Sequence, residues 1–166
     1  MPFADHNVNV NVADKGNAAL MGNDFKYVAY WSDEDTWGGE YAPLDGETVY
    51  IPKGQHLLVD IDRSPILSAV LVEGSLIFLP DFDNSHQRFF DAHYIFVRNG
   101  LMEVGSEEFP YTSKLTITMH GNIQSPEIPI YGNKCIAVRH GTLDLHGTPR
   151  SPSWTSLGVT ANAGFN

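Results

Sequence analysis

The sequence has few basic residues and a single cysteine. Lys and Arg together number 10 against 20 Asp and Glu, which gives a formal net charge of −10. Nucleic-acid backbones and anionic lipid surfaces attract basic stripes, so both classes of partner are disfavoured, whereas divalent cations remain compatible with this charge. Cys135 cannot form a disulfide within the chain, so the fold must depend on packing. Because Ile136 and Val138 lie next to it, we expect a buried, inert thiol.

Long apolar runs and targeting signals are also missing. No stretch approaches the ~20 consecutive apolar residues of a membrane-spanning helix, so we expect no direct membrane contact. The start, MPFADHNVNVNV, lacks the basic and then apolar segments of a signal peptide, and no Asn-x-Ser/Thr sequon occurs. Two interpretations stay open at this point, an intracellular protein and a piece of a larger exported chain.

Helical periodicity is absent, and short β-type segments end instead at regularly spaced glycines. Segments such as ETVYIPK, SAVLVE, AHYIFVRN and IAVRH are rich in β-branched and aromatic residues. Near-constant steps of about 20 residues between the glycines are typical of a solenoid with one coil per repeat. The sequence therefore predicts an all-β, right-handed, parallel β-helix-like solenoid of about five short coils with irregular loops. The alternative is a β-sandwich with glycine-containing hairpins. The glycines concerned are Gly54, Gly74, Gly100, Gly121 and Gly141.

Alignment on these glycines predicts which residues face the interior. Glycine is expected there because a sharp turn between strands often needs a positive φ. The segment before Gly121 alternates one place out of step, which places Thr116 and Thr118 at the expected core positions and predicts a bulge or an adjusted turn before Gly121. The expected inward pairs are Val49 and Ile51, Ala69 and Leu71, Ile95 and Val97, and Ile136 and Val138, with Leu115, Ile117 and Met119 out of step.

The remaining segments are less regular. Residues 80–92 form the longest polar insertion, residues 105–114 a turn-rich connector, and residues 122–134, with two prolines among them, a loop or an edge strand. Residues 1–27 contain two alternating runs around a Lys-Gly turn, like the closing strands of a small sandwich. Residues 27–47 are interpreted as a junction.

Residues 30–157 carry a family resemblance. The segments IPKGQHLLVD, GLMEVGSEEFPYTSKLTITMHG and GTLDLHG followed by SWT resemble the G8 domain, an extracellular module named for its eight glycines. The N-terminal remnant resembles the last strands of an immunoglobulin-like TIG (IPT) domain. The order TIG then G8 is that of the fibrocystin family of large surface proteins. Related modules occur in the family of the cell-migration-inducing hyaluronan-binding protein, which is linked to hyaluronan breakdown.

The resemblance implies a domain division and a location. Residues 1–27 would be the TIG remnant or a linker, residues 28–157 the G8 domain, and residues 158–166 a tail leading to a downstream region, where this family usually continues as a longer parallel β-helix. The fragment would lie outside the cell or at its surface. Its expected partners are an extracellular glycan or protein and the neighbouring domains of the same chain.

Histidines and acidic residues are the candidates for metal binding. His120 and His140 each precede a glycine, so stacked coils could bring them together, and His146 follows closely. No short-range zinc spacing is present, and turn-capping or solvent-exposed histidines are the alternative. Alternating carboxylates could hold calcium, although the full calcium-loop spacing is absent, and a solvated acidic edge is the alternative. The acidic residues concerned are Asp60, Asp62, Asp81, Asp83 and Asp91.

Catalytic and sugar-binding patterns are weaker still. A glycosidase needs two carboxylates across a groove, and the sequence does not place Glu107, Glu108 and Asp144 opposite one another. The tryptophans could stack on sugars, but capping the open end of a solenoid is the preferred interpretation. They are Trp31, Trp37 and Trp154.

The sequence thus predicts no catalytic residue, no metal and no cofactor. The expected function is that of an extracellular, non-catalytic structural or binding module of a large receptor-like surface protein. Two alternatives stay open: an accessory or substrate-binding part of a hyaluronan-depolymerising enzyme, and a calcium-dependent adhesion surface.

Overall fold

The computed structural model describes residues 10–12, 16–18, 28–80, 87–156 and 158. Strands form nearly all of the regular structure there, and the one helical segment in these ranges is a 3-10 helix, Glu34–Trp37. None of the described helical structure is both long and apolar enough to cross a membrane. The strands are β1 (Val10–Val12), β2 (Gly16–Ala18), β3 (Val28–Tyr30), β4 (Thr48–Ile51), β5 (His56–Leu58), β6 (Arg63–Leu67), β7 (Ala69–Val72), β8 (Ser75–Phe78), β9 (Gln87–Ala92), β10 (Tyr94–Arg98), β11 (Leu101–Val104), β12 (Lys114–Met119), β13 (Cys135–Arg139) and β14 (Thr142–Leu145).

Three parallel sheets run along the molecule. The first sheet has the order β13-β10-β7-β4, the second β14-β11-β8-β5-β3 and the third β12-β9-β6. The strand sets β4–β6, β7–β9 and β10–β12 each contribute one strand to every sheet, so each set is one complete coil, and β13 and β14 begin another. The predicted all-β, parallel β-helix-like architecture is confirmed. The sandwich alternative is wrong, because a sandwich consists of antiparallel sheets.

Apolar columns fill the interior because equivalent strands stack in register. In the first sheet Val49 pairs with Val70, Val70 with Ile95, and Ile95 with Ile136. A parallel column runs through Ile51, Val72, Val97 and Val138. The first three members of each column are at most 2% exposed. The predicted inward pairs are therefore correct in β4 and β10; in β13, Ile136 and Val138 continue the same columns but are 36% and 39% exposed.

The prediction fails in β7. Val70 and Val72 are the buried residues there, whereas Ala69 and Leu71 are half-buried on the outer face. Val72 pairs with Val97, but Gly74 follows Val72 by two positions whereas Gly100 follows Val97 by three, so counting back from the glycine lands one place out of register. A shift of one residue reverses the faces of a strand.

The stacked glycines are needed for close approach between coils. Gly74, Gly100 and Gly141 occupy the corner between the first and second sheets, where Leu101 N–H donates to the Gly74 carbonyl at 2.8 Å. A Cβ atom on Gly100 would lie 2.6 Å from the Gly74 carbonyl oxygen. These three glycines do not have a positive φ, so the predicted reason for them is wrong. The predicted positive φ is present at Gly54, with φ of 87°, and at Gly121, with φ of 129°.

Gly121 does not belong to the same glycine column. It follows β12, which lies in the third sheet and pairs with β9 over six consecutive residues without a bulge. The predicted bulge before Gly121 is therefore wrong, and the register irregularity of the third sheet lies instead between Arg63 and Ile66 in β6. The residue stacked on Ile95 is Ile136, 41 positions later. What looked like two repeats of about 20 residues is one coil with long connectors.

The connectors lie at the corners of the coils. Of the two predicted alternatives for residues 122–134, a loop or an edge strand, the structure shows the loop, with one isolated bridge between Ile128 and Gly132. The predicted insertion at 80–92 is wrong in its second half, because Gln87–Ala92 is β9; residues 81–86 lie outside the described part. The two N-terminal runs pair as the antiparallel strands β1 and β2.

Candidate functional site

Two histidines stack at the corner between the third and first sheets. His93 follows β9 and His120 follows β12, and because Ala92 pairs with Met119 the two histidines occupy equivalent positions in successive coils. Their ring centroids are 6.0 Å apart. Aligning the dipeptides Ala-His and Met-His in the sequence could have identified this pair.

The predicted partner of His120 was His140, and that prediction is wrong. His140 lies in the turn between β13 and β14, at the corner between the first and second sheets, and adopts a φ of 53°. The error follows from treating Gly121 and Gly141 as equivalent positions. His146, directly after β14, instead contacts Asp144 in that strand: its Nε2 atom lies 2.7 Å from the Asp144 carboxylate.

A buried carboxylate joins three coils beside the histidine pair. Asp91 is 3% exposed, and its two carboxylate oxygens lie 2.8 Å from Arg63 Nη1 and 2.8 Å from His120 Nε2. The backbone N–H of Asp91 donates to Ser64 Oγ at 2.8 Å, and the Arg63 guanidinium lies 4.1 Å from the centroid of the Phe89 ring. A buried carboxylate is tolerated when it is paired and hydrogen-bonded. We call Arg63, Asp91 and His120 the Asp91 clamp.

Two of the acidic residues considered for calcium, Asp60 and Asp91, have other partners. Asp60 accepts hydrogen bonds from Ser32 N–H at 3.0 Å and from Ser32 Oγ at 2.5 Å, whereas Asp91 belongs to the clamp. Asp81 and Asp83 lie outside the described residues. Within the described ranges no three His, Cys, Asp or Glu side chains converge as a metal site. Calcium binding at Asp60, Asp62, Asp81 and Asp83 stays a prediction.

The carboxylates considered for glycosidase chemistry occupy different settings. Glu107 and Glu108 are exposed in the connector between β11 and β12, and Asp144 lies in β14 beside His146. Cys135 is half-buried at the start of β13 rather than buried, because no described strand lies beyond β13 in the first sheet. The sequence overestimated its burial, since it could not reveal that this strand lies at an edge.

Two tryptophans close the first end of the solenoid. Trp31 is 1% exposed, and its ring makes T-shaped contacts with Trp37 at 5.1 Å and with Phe90 at 5.8 Å. Trp37 Nε1 donates to the Trp31 carbonyl at 2.8 Å. The positions of Trp31 and Trp37 agree with the predicted capping of an open solenoid end. Trp154, in contrast, is 78% exposed and caps nothing that the structure describes.

A groove of about 430 Å³ opens beside this cap. Its walls include the rings of Trp37, Tyr41 and Tyr50 and the carboxylates of Glu40 and Glu47, and we call these five residues the N-terminal groove. Tyr41 is 86% exposed and Tyr50 52% exposed. The sequence reasoning missed this site. The signal available was the absence of Lys and Arg between residues 27 and 52, in a stretch that is rich in aromatic residues.

A charged network borders the groove on the outer face of the first sheet. Tyr50 donates its hydroxyl to Glu73 at 2.8 Å, and Arg98 Nη2 lies 2.5 Å from the other Glu73 oxygen. The Tyr50 hydrogen bond is the main reason why the pKa of Glu73 lies below its usual value, with Arg98 acting in the same direction. The same hydrogen bond raises the pKa of Tyr50.

The other end of the solenoid is open. β12, β13 and β14 are the last described strands of their sheets, and the apolar columns reach the surface there. Val138 is 39% exposed and Leu143 39% exposed, although their partners Val97 and Met102 are fully buried. A cavity of about 400 Å³, lined in part by Leu145, lies between the strands at this end.

Stacked parallel coils with one end capped and one end open define the chain as a β-helix-like, all-β module. The sequence profile of the G8 domain matches residues 36–158, which is most of the chain. The chain belongs to the G8 domain family, so this part of the resemblance noted in the sequence is confirmed. The comparisons do not show the preceding TIG strands.

Several curated relatives share this region. The chain is 40% identical to "Fibrocystin-L" of Mus musculus over 157 residues, covering 95% of this chain and 4% of the relative. It is 36% identical to "Fibrocystin" of Mus musculus over 141 residues, covering 84% of this chain and 3% of the relative. A shorter match joins it to "Cell surface hyaluronidase CEMIP2" of Homo sapiens, 46% identical over 61 residues, 36% of this chain and 4% of the relative. The chain thus spans a small fraction of these proteins.

Proposed function

We propose that the chain is a non-catalytic structural and binding module of a large protein at the cell surface. The observation that carries this proposal is how its charged side chains are used. The Asp91 clamp joins three coils across the third sheet, and Glu73 joins Tyr50 and Arg98 from three successive strands of the first sheet. These groups hold the coils together.

The interior supports the same proposal. Residues in the middle of the columns, among them Val70, Val72, Leu76 and Ile95, are completely buried, so the space between the sheets is filled with apolar side chains. Burial of this kind contributes roughly 25 cal/mol per Å² of apolar surface and is the main source of stability for a chain without disulfides. A module whose core and outer charges both serve stacking is suited to a load-bearing or spacing role within a long ectodomain.

The partial similarity to a protein named as a hyaluronidase favours a second candidate. In that alternative the chain is an accessory or substrate-binding part of a hyaluronan-depolymerising enzyme. Charge weighs against it, because hyaluronan is a polyanion and this chain carries a formal charge of −10. The match also covers 36% of this chain.

An assay of reducing ends distinguishes the two candidates. The purified chain is incubated with hyaluronan, and newly formed reducing ends are measured beside an active hyaluronidase and a buffer blank. We expect no increase over the blank. An increase that co-purifies with the folded chain would overturn the proposal. Retention of hyaluronan oligosaccharides on a glycan array without cleavage would support the accessory alternative.

The domain boundaries and the location are part of the same proposal. We place the G8 domain at residues 28–157, and the pairing of β3 with β5 in the second sheet supports a start near residue 28. Residues 1–27 are proposed as the end of a TIG domain, with the antiparallel pairing of β1 and β2 in support. Residues 158–166 would lead to the next region of the parent protein, outside the cell.

A further inference from the structure

We propose that the N-terminal groove is a docking site for a basic segment of another protein, one that presents arginine or lysine side chains. This inference rests on the proposed role as a non-catalytic binding module and specifies the chemistry of its partner. The groove brings exposed aromatic residues and acidic residues together on one concave surface.

Two of the three aromatic rings of the groove lie largely outside the core, whereas Trp37 also packs against it. Tyr41 is 86% exposed and Tyr50 52% exposed, whereas Trp37 is half-buried and presents its remaining edge to the same groove. A guanidinium or ammonium group over the face of such a ring gains roughly 0.5–1 kcal/mol at an exposed site. Large aromatic residues are also the residues that most often dominate protein interfaces.

The carboxylates of Glu40 and Glu47 in the groove have oxygen atoms that can still accept hydrogen bonds from a ligand. Glu40 makes no hydrogen bond or ion pair with any other described residue. Glu47 uses Oε2 to accept the Leu44 N–H at 2.8 Å, which leaves Oε1 for a ligand. Glu73, at the border of the groove, is already occupied by Tyr50 and Arg98 and serves to orient the Tyr50 ring.

The surrounding charge favours a cation over every anionic ligand. Six of the 20 acidic residues lie between positions 33 and 47, and no Lys or Arg lies between positions 27 and 52. Such a one-signed region raises the local concentration of a basic partner and its association rate. An anionic glycan such as hyaluronan would be repelled, and a neutral glycan would gain nothing from the charge. The combination of rings and carboxylates therefore fits a basic peptide best.

Fluorescence anisotropy with a labelled oligoarginine peptide tests the proposal. The test variant is Glu40→Gln combined with Tyr41→Ala, and the matched control is Glu107→Gln combined with Phe109→Ala. The control removes the same charge and another largely exposed ring, Phe109 at 69% against Tyr41 at 86%, but at the connector between β11 and β12. We expect the test variant to bind about tenfold more weakly, from one lost cation–π contact and one lost ion pair, and the control to match the wild type.

Three results would overturn the proposal. The wild type could fail to bind oligoarginine at low ionic strength; the control could lose as much affinity as the test variant; or a neutral glycan could bind at the groove while the peptide does not. The single variant Glu40→Gln retains the ring and is measured as well, so the test does not depend on the folding of the double variant. Hyaluronan cleavage is read separately, so failure here leaves the proposed function standing.

Discussion

Replacing Gly100 by alanine should be far more damaging than the loss of one glycine from an ordinary turn. A Cβ atom at this position would lie 2.6 Å from the Gly74 carbonyl oxygen and 2.7 Å from the Val72 carbonyl oxygen. Both obstacles are backbone atoms of the preceding coil. The Gly74 carbonyl also accepts the Leu101 N–H at 2.8 Å, so it cannot move away without weakening the pairing of the coils.

The size of the effect follows from the cost of overpacking. Inserting a methylene group into a well-packed interior costs typically 1–3 kcal/mol, and more where the neighbours cannot shift. We expect Gly100→Ala to lower the free energy of unfolding by about 3 kcal/mol or more. Gly74→Ala should be at least as harmful, because its Cβ would lie 2.2 Å from the Gln55 carbonyl oxygen. Gly141→Ala should be milder, since one of its two closest contacts is the movable side chain of Val97 at 2.8 Å.

Urea unfolding followed by circular dichroism measures these differences, with Gly147→Ala as the control. A Cβ at Gly147 would meet nothing within 4 Å, so the control should change stability by less than about 1 kcal/mol. Gly100→Asn distinguishes two reasons for a glycine at this corner, the close approach of the preceding coil and a positive φ. If a positive φ were the requirement, asparagine would be tolerated better than alanine. An asparagine variant more stable than the alanine variant, or an alanine variant as stable as the control, would refute the close-approach argument.

Three further predictions concern the core, the clamp and the outer charges. Phe90→Ala removes a fully buried ring and should lower the free energy of unfolding by about 3–5 kcal/mol in the same urea assay, with a conservative Phe90→Leu change costing much less. Asp91→Asn keeps the shape but removes the charge that its two partners neutralise, and should cost about 1.5–3 kcal/mol; an effect below experimental error would show that the clamp is dispensable. Because the pKa of Glu73 is lowered in the folded state, its contribution is present above the usual carboxyl pKa and is lost as the pH falls through the lowered value, in the acid range below 4.5. Tyr50→Phe removes the main cause, so acid-unfolding profiles of this variant should be flatter in that range, and an unchanged profile would contradict the assignment.

The architecture could be predicted from the sequence because stacking leaves a local signal. Three strands of the first sheet, β4, β7 and β10, alternate buried and more exposed residues, and in β4 and β10 the buried pair was found by its distance from a glycine. Ile95 and Val97 are examples. Each coil by itself needs β-branched residues at alternate strand positions and a glycine at the corner. Such requirements can be recognised without knowing which coil lies next to which.

The register between coils could not be predicted in this way. The distance to the corner glycine is one residue shorter from Val72 than from its partner Val97, which moved Val70 and Val72 out of the predicted columns. The long connectors at 105–113 and 120–134 made one coil look like two, and this hid the pairing of β12 with β9. The partners of His120 and Asp91 depend on that pairing, so the clamp was invisible. The N-terminal groove was missed for a different reason, because its rings and carboxylates come from a segment interpreted only as a junction.

Corners and strands of this fold are subject to different physical limits. Strands in one sheet are held about 4.8 Å apart by their hydrogen bonds, so a side chain on a strand always meets the equivalent side chain of the next coil. Such neighbours must be apolar inside the solenoid and complementary outside it, as Glu73 and Arg98 are. The connectors between the second and third sheets are not held to one length in this way, as residues 59–62 and 105–113 show, unlike the closely stacked glycine corner between the first and second sheets. New binding surfaces can therefore arise at corners and ends without disturbing the stack, and the N-terminal groove lies at such an end. If this reasoning is right, Glu40→Gln and Tyr41→Ala should alter peptide binding with a change in stability of less than about 0.5 kcal/mol, as expected for exposed positions away from the core.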